Sequence, residues 1–290
     1  MKLGTTIALA ALLLAVLAAA AAPLYLAALA AAAVERGASY ALGVKTEVES
    51  VDVGVFSGRA SVADLRIANP EGFGGERFLT LGEGSVDVSL GTLLEDVVEI
   101  PALMLSDLRV NLERRSGRAN YEVILANLAG REGGASPAGR EGKRYVIGTL
   151  TLRDVTVRAD LLPVDGNLTQ VDLPIREIRL TNIGSDSDRG VLLWELTGIV
   201  VKAVVRAAIE QGGGVLPSVV VDGLEAGLGG LESLGEMGIE FRVELGEALG
   251  DAVEGAAKGV QKAIEGLGDV LDGSEPKPKP DAREGGGGDS

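Results

Sequence analysis

The sequence predicts an α+β protein: an N-terminal transmembrane helix, then a twisted, mainly antiparallel β-sheet groove covered by C-terminal helices. Three observations carry this. Thr5 to Val34 contains no charged residue. From Lys45 to about Asn182 apolar and polar residues alternate with period two, the mark of strands with one buried and one wet face. Beyond residue 191 the apolar spacing becomes helical. The boundaries that follow are 1–44 for a signal anchor and connecting helix, 45–190 for a β domain, 191–273 for a helix-rich region and 274–290 for a tail.

The uncharged N-terminal stretch is preceded by Lys2 and followed by Glu35 and Arg36. About 30 residues of helix reach roughly 45 Å, against a hydrocarbon core of roughly 30 Å. The apolar region of a cleaved signal is usually about 7–15 residues, so the length favours an uncleaved anchor. The small residues Ala18 to Ala22 keep a cleaved signal open. Residues 5–22 are placed across the bilayer, Pro23 kinks or restarts the helix, and Tyr25 suits an interface. Lys2 alone marks the inner side, which puts the body in the periplasm or otherwise outside the cytoplasm on a single-pass inner-membrane protein.

In the strand region Val51, Val53 and Val55 alternate with Ser50, Asp52 and Gly54, and Val86, Val88 and Leu90 with Ser85, Asp87 and Ser89. Asn69-Pro70-Glu71-Gly72, Gly82-Glu83-Gly84, Ser116-Gly117 and Asp165-Gly166-Asn167 supply turn chemistry between runs. Four segments share the pattern apolar-x-apolar-x-acid-apolar-x-apolar: 60–67 (ASVADLRI), 103–110 (LMLSDLRV), 150–157 (LTLRDVTV) and 173–180 (LPIREIRL). In each the apolar parity slips at the acid, Asp64, Asp107, Asp154 or Glu177. A regular strand would send its two apolar halves to opposite faces, so the slip predicts a β-bulge ending at each acid. The acids lie far apart in sequence without neighbours at ligand spacing, and no metal site is assigned to them.

Residues 130–143, with Pro137, form a Gly-, Ala- and charge-rich loop. Asn167-Leu168-Thr169 fits a glycosylation sequon. Leu193, Leu196, Val200, Ala203, Val204 and Ala207 make a helical stripe, with Glu195, Lys202 and Arg206 off it, and Gly212 to Gly214 end that helix. Val219 to Asp222 reads as a short strand or buried turn. Residues 245–271 are a second amphipathic stretch whose glycines each cost about 1 kcal/mol of helicity against alanine, so it needs a docking surface. Residues 274–290 read as a solvated tail.

Composition narrows the chemistry. The chain of 290 residues carries a formal charge of −15, which repels phosphate backbones and argues against nucleic acid. It has no histidine and no cysteine. That removes a Ser-His-Asp triad, a cysteine nucleophile, thiolate metal sites and disulfides. No carboxylate pair, dinucleotide fingerprint or P-loop stands in for them. Neither an enzyme nor a cofactor is expected.

The order of these segments resembles that of small exported proteins with an AsmA-like domain. The residues are an N-terminal anchor and helix ending near Gly43, then 50–73 (SVDVGVFSGRASVADLRIANPEGF), 78–113, 150–159 (LTLRDVTVRA) and 171–184 (VDLPIREIRLTNIG), followed by an Ala/Val-rich helix. The match covers about residues 1–210; the basic-poor start and Gly-rich C-terminal third depart from it. The resemblance implies a curved β-groove with an apolar lining, and larger relatives such as AsmA and TamB are linked to phospholipid movement in Gram-negative envelopes. The lining expected here is Val51, Val53, Val55, Val86, Val88, Leu90, Leu105, Val110, Leu152 and Val157. Eight to ten strands at about 4.8 Å span only about 40–50 Å, too short to bridge two membranes. The expectation is therefore a lipid-binding or lipid-transfer accessory module, with membrane lipid, a phospholipid ligand and an envelope protein or second copy as partners. The alternative is a non-catalytic structural or assembly factor of the envelope whose groove is filled by its own helices.

Overall fold

The computed structural model describes residues 24–54, 56–75, 77–132, 143–160, 170–185 and 190–244, all within one compact unit. Helix α1 (24–42) leads into β1 (Thr46–Gly54), β2 (Arg59–Ala68), β3 (Arg77–Asp87), β4 (Val97–Arg115) and β5 (Arg118–Ala119). Then come α2 (Asn120–Glu132), β6 (Arg144–Asp160), β7 (Gln170–Ile183), α3 (Leu193–Gly212), α4 (Ser218–Leu228) and β8 (Glu240–Glu244). The eight-stranded sheet has the order β1-β2-β3-β4-β6-β7-β8, with β5 paired to β4. All neighbours are antiparallel except β4 and β6, which α2 joins by a crossover, as parallel strands require.

The expected transmembrane helix must be corrected. No helix among the described residues is long and apolar enough to cross a membrane. Residues 5–22, where the crossing was placed, lie outside the described residues. The described remainder of the uncharged run, residues 24–34, ends at Glu35 after 11 residues, about half a bilayer span. Instead α1 docks on protein. Glu35 Oε1 accepts the Val48 N–H at 3.0 Å and Ser39 Oγ the Thr46 N–H at 2.9 Å, satisfying donors of the edge strand that would otherwise be unpaired. Ala38, Ala41 and Leu42 are buried. The signal-anchor and single-pass inner-membrane placements lose their basis with that helix.

Other segments also differ. The segment from Val219 to Asp222 is the first part of α4, not a strand or turn. The α3 stripe is wider than its sequence period suggests, because Val201, Lys202 and Val205 are buried beside Leu196, Ile199, Ala203 and Val204. Helix α3 packs against β6 and β7 and also against α4, so it is covered on more than one side. Helix α2 was not anticipated, although Tyr121, Ile124, Leu125 and Leu128, all buried, have helical spacing. The sequon, the centre of the 130–143 loop, the 245–271 stretch and the tail lie outside the described residues.

Asn120 ties the start of α2 to the sheet. Its Oδ1 accepts the Glu113 and Tyr121 N–H groups, and its Nδ2 donates to Asn111 O and Asn69 Oδ1. A fully buried amide needs such complete pairing. Glu113 in turn accepts the Gly74 and Gly75 N–H groups and the Asn69 amide, closing the turn that begins Asn69-Pro70.

Candidate functional site

The strand registers place apolar residues in rows that cross the whole sheet. One row is Val51, Val62, Gly84, Leu105, Leu152, Ile178 and Val243, and the next is Val53, Ala60, Val86, Leu103, Leu150, Leu180 and Phe241. A third is Val48, Leu65, Leu81, Leu108, Val155 and Ile175, followed by Thr46, Ile67, Leu79, Val110, Val157 and Leu173.

Between the second pair of rows and the first, the six strands β1 to β4, β6 and β7 change parity at the same register. Asp64, Gly82, Asp107, Asp154 and Arg176 stand in line there, and each drops out of the ladder. Pairing resumes in unchanged register on either side: Ala63 faces Glu83 and Leu65 faces Leu81. No residue is inserted, so the two-for-one bulge expected at Asp64, Asp107 and Asp154 is replaced by another device. These three residues have φ of 50°, 57° and 52°. A single left-handed residue turns the following peptide over, and aspartate tolerates that region better than other side chains. Glu177 is not among the positive-φ residues; in β7 the slip falls across Arg176 and Glu177, both polar, between buried Ile175 and Ile178. A Cβ on Gly82 would lie 2.9 Å from the Asp107 Cβ, which is why the line passes through a glycine. The result is a crease with apolar rows on one face on both sides of it.

The helix layer covers this face unevenly. Leu150, Leu152, Val155, Val157, Leu173, Ile175, Ile178 and Leu180 are all buried, under α3 on β6 and β7. Leu81, Leu108 and Val110 are buried too. One quadrant is different: on β1 to β4, between the crease and the β1–β2 turn, Val51, Val53, Ala60, Val62, Val86, Leu103 and Leu105 are only half-buried. A Cβ on Gly84 would meet Val62 at 2.5 Å and Leu105 at 3.0 Å, so these two side chains close over the glycine. Beyond them Phe56 and Leu94 are 93% and 97% exposed, and Leu90 and Leu93 are exposed too.

Of the expected lining, Val51, Leu105 and Leu152 share one row, and Val53 and Val86 the next. Val110 and Val157 lie across the crease in the covered part. Val88 is half-buried past the second row, Leu90 sits in a 3-10 turn (Leu90–Thr92) rather than a strand, and Val55 lies outside the described residues.

The opposite face carries charge. Arg153 and Arg179 both donate to Glu177, and these hydrogen bonds, Arg179's foremost, hold its carboxyl below the usual carboxylate range. Arg158 grips Asp172 with two bonds of 2.7 and 2.9 Å, which lowers that carboxyl too. Among the described residues no group of three or more acids is placed to hold a metal.

One polar feature escaped the sequence. Lys202, read as off the α3 stripe, is 2% exposed. Its Nζ donates to Glu132 Oε1 at 2.7 Å and to Glu232 O at 3.1 Å, and Glu132 Oε2 accepts the Glu232 N–H. These groups border a recess of about 90 Å³ that Trp194, Glu195 and Met237 also line. Its signal was there to read: a lysine within Ile199-Val200-Val201-Lys202-Ala203-Val204-Val205 has apolar neighbours on every side of a helix.

No protein-family model matches the chain, and no curated protein matches it either. The AsmA-like resemblance rests on the segments quoted from the sequence.

Proposed function

We propose that this chain is a non-catalytic module that binds the acyl chain of a lipid on the open quadrant of its apolar sheet face. One observation carries the reading: the apolar rows run from edge to edge of the sheet, but the helix layer stops short of β1 to β4 on the hairpin side of the crease. An uncovered apolar face of this kind calls for a ligand or partner. The AsmA-like resemblance points to the same ligand class. Magnitude bounds the behaviour. Twelve methylenes, each about half removed from water, contribute about 5 kcal/mol, a dissociation constant of roughly 0.3 mM. Such a grip suits exchange rather than storage.

Native mass spectrometry of the purified chain and displacement of a fluorescent fatty acid test it. The wild type is expected to carry or take up a single-chain amphiphile, and Val62→Asp to fold but lose it, because an unpaired carboxylate among the methylenes is costly. Absence of both adduct and displacement in the wild type overturns the reading. The complete burial of the β6 and β7 rows favours a second reading, a structural factor whose sheet is filled by its own helices. Under it, the wild type and Val62→Asp alike would leave every ligand assay blank.

A further inference from the structure

We infer that the turn end of the sheet, led by Phe56 and Leu94, docks on an electrically neutral lipid surface and is where the open quadrant meets its acyl chains. This rests on the chain-binding reading above.

Phe56 tops the β1–β2 turn and Leu94 the β3–β4 connection, and both are almost fully exposed. The two turns are bonded to each other. Val88 N–H donates to Gly58 O at 2.7 Å, and a Cβ on Gly58 would lie 3.3 Å from Leu90 Cγ. The leucine-bearing turn is pinned. Thr92 Oγ1 donates to Ser89 O and accepts the Glu99 N–H, Ser89 N–H donates to Glu99 O, and Lys143 Nζ donates to the carbonyls of Leu93 and Glu95. Its apolar side chains are thus held out in water by an ordered backbone, which costs free energy in a chain with nothing to place there.

The shape and the charge select the occupant. Apolar side chains at the apices of two adjacent turns, with polar groups behind them, form a projecting end of the kind that enters a soft lipid interface. The surrounding charges are Asp87, Glu95, Asp96 and Glu99 against Arg59 and Lys143. Arg59 pairs with Asp87 at 3.2 Å and Lys143 is spent on carbonyls. Among the described residues carboxylates outnumber cations at these turns, which disfavours anionic head groups, so a zwitterionic surface fits best. Directly behind the tips lie half-buried Val88, Val86 and Val53, so the apolar path runs from the tips into the open quadrant. Contact of this kind requires no membrane-spanning helix.

The chain has no cysteine, so Leu94→Cys and Arg109→Cys each accept one environment-sensitive fluorophore in the full chain. With phosphatidylcholine vesicles the label at 94 is expected to shift to shorter wavelength and to lose most of its emission to nitroxide lipids. The label at 109, exposed on the outer face beyond the crease, is expected to do neither. Phe56→Ser combined with Leu94→Ser is expected to keep fatty-acid displacement in solution while the vesicle-dependent shift of a label at Gly91→Cys, where a side chain meets open space, is abolished. A label at 94 that stays in water, even when the chain floats with vesicles, overturns the inference; if fatty-acid displacement persists there, the chain-binding reading survives alone. A stronger response to phosphatidylglycerol than to phosphatidylcholine overturns the choice of a neutral surface.

Discussion

Val62 and Leu152 stand in one row of one apolar face, separated by β3 and β4, yet Leu152 is fully buried and Val62 is half open. Strand chemistry does not distinguish them: both are aliphatic and both stand on the apolar side of an alternating strand. The helix layer makes the difference, since α3 packs on β6 and β7 and α2 on β4. A sheet face of uniform apolar character thus serves as core at one side and as exposed surface at the other. What an apolar strand residue does here is decided by elements far away in sequence.

The widest separation between the two regions comes from placing the same charge in each. Leu152→Asp buries a carboxylate without a partner and is expected to cost about 4 kcal/mol or more, enough to unfold a marginal domain. Val62→Asp leaves its carboxylate in reach of water and is expected to cost about 1 kcal/mol or less. Urea denaturation of both variants measures the gap. Equal losses would mean that the open quadrant is core after all.

The next effect tests what holds the cover in place. Lys202→Met removes one partner of the buried pair with Glu132 and leaves Glu132 Oε1 and Glu232 O without that donor. Breaking a buried pair this way typically costs about 3–5 kcal/mol. Glu132 keeps some solvent access, at 27% side-chain exposure, so about 3 kcal/mol is expected by denaturation. Fatty-acid displacement should be unchanged, because the pair joins α2 to α3 and the 229–239 segment, remote from β1 and β2. A variant that loses ligand while remaining folded would link the two regions.

The crease sets a smaller effect that both regions share. Asp154→Val forces a β-branched side chain into the left-handed region and is expected to cost about 1–2 kcal/mol, whereas Asp154→Gly should lie within about 0.5 kcal/mol of wild type, since relief of strain offsets the added freedom of the unfolded chain. Thermal melts of the two variants check the sign. If valine is tolerated as well as glycine, backbone conformation is not what places an aspartate there.

These effects mark where the sequence was legible. Alternation gave β1 to β4, β6 and β7, and the parity slips at Asp64, Asp107, Asp154 and Glu177 located the crease in four of its strands. The conformation was not legible, because a bulge and a left-handed residue both restore one apolar face, and only cross-strand register separates them. The slip in β3 was hidden by its glycines, Gly82 and Gly84, which have no side chain to place in or out. The open quadrant could not be read at all. It depends on where α2 and α3 end above the sheet, and Val62 and Leu152 look alike along the chain. The N-terminal run misled because freedom from charge does not decide what a helix packs on: α1 carries on past Val34 and docks on protein through Glu35, Ser39, Ala41 and Leu42.

The smallest effect lies on the outer face and concerns pH. Glu177 sits behind the covered region on β7, held by Arg179 and Arg153, and these bonds lower its carboxyl from an ordinary value of 4.5. Its side chain is only 12% exposed, so screening by water is limited. For a carboxyl depressed in the folded state, the stabilisation is complete above the unfolded-state value and is lost as pH falls through the folded one. Wild-type stability is therefore expected to be level from neutral pH down to about 5 and to decline below that. Glu177→Gln should flatten part of that decline. Asp172, held by Arg158 but with its side chain 47% exposed, should contribute less, so Asp172→Asn should change the profile less than Glu177→Gln. Because Glu177 bonds β7 to β6, amide exchange at low pH should quicken more in β6 and β7 than in β1 and β2. Equal quickening in all four strands would show that acid acts on the sheet as a whole, and that the covered region has no separate electrostatic tie.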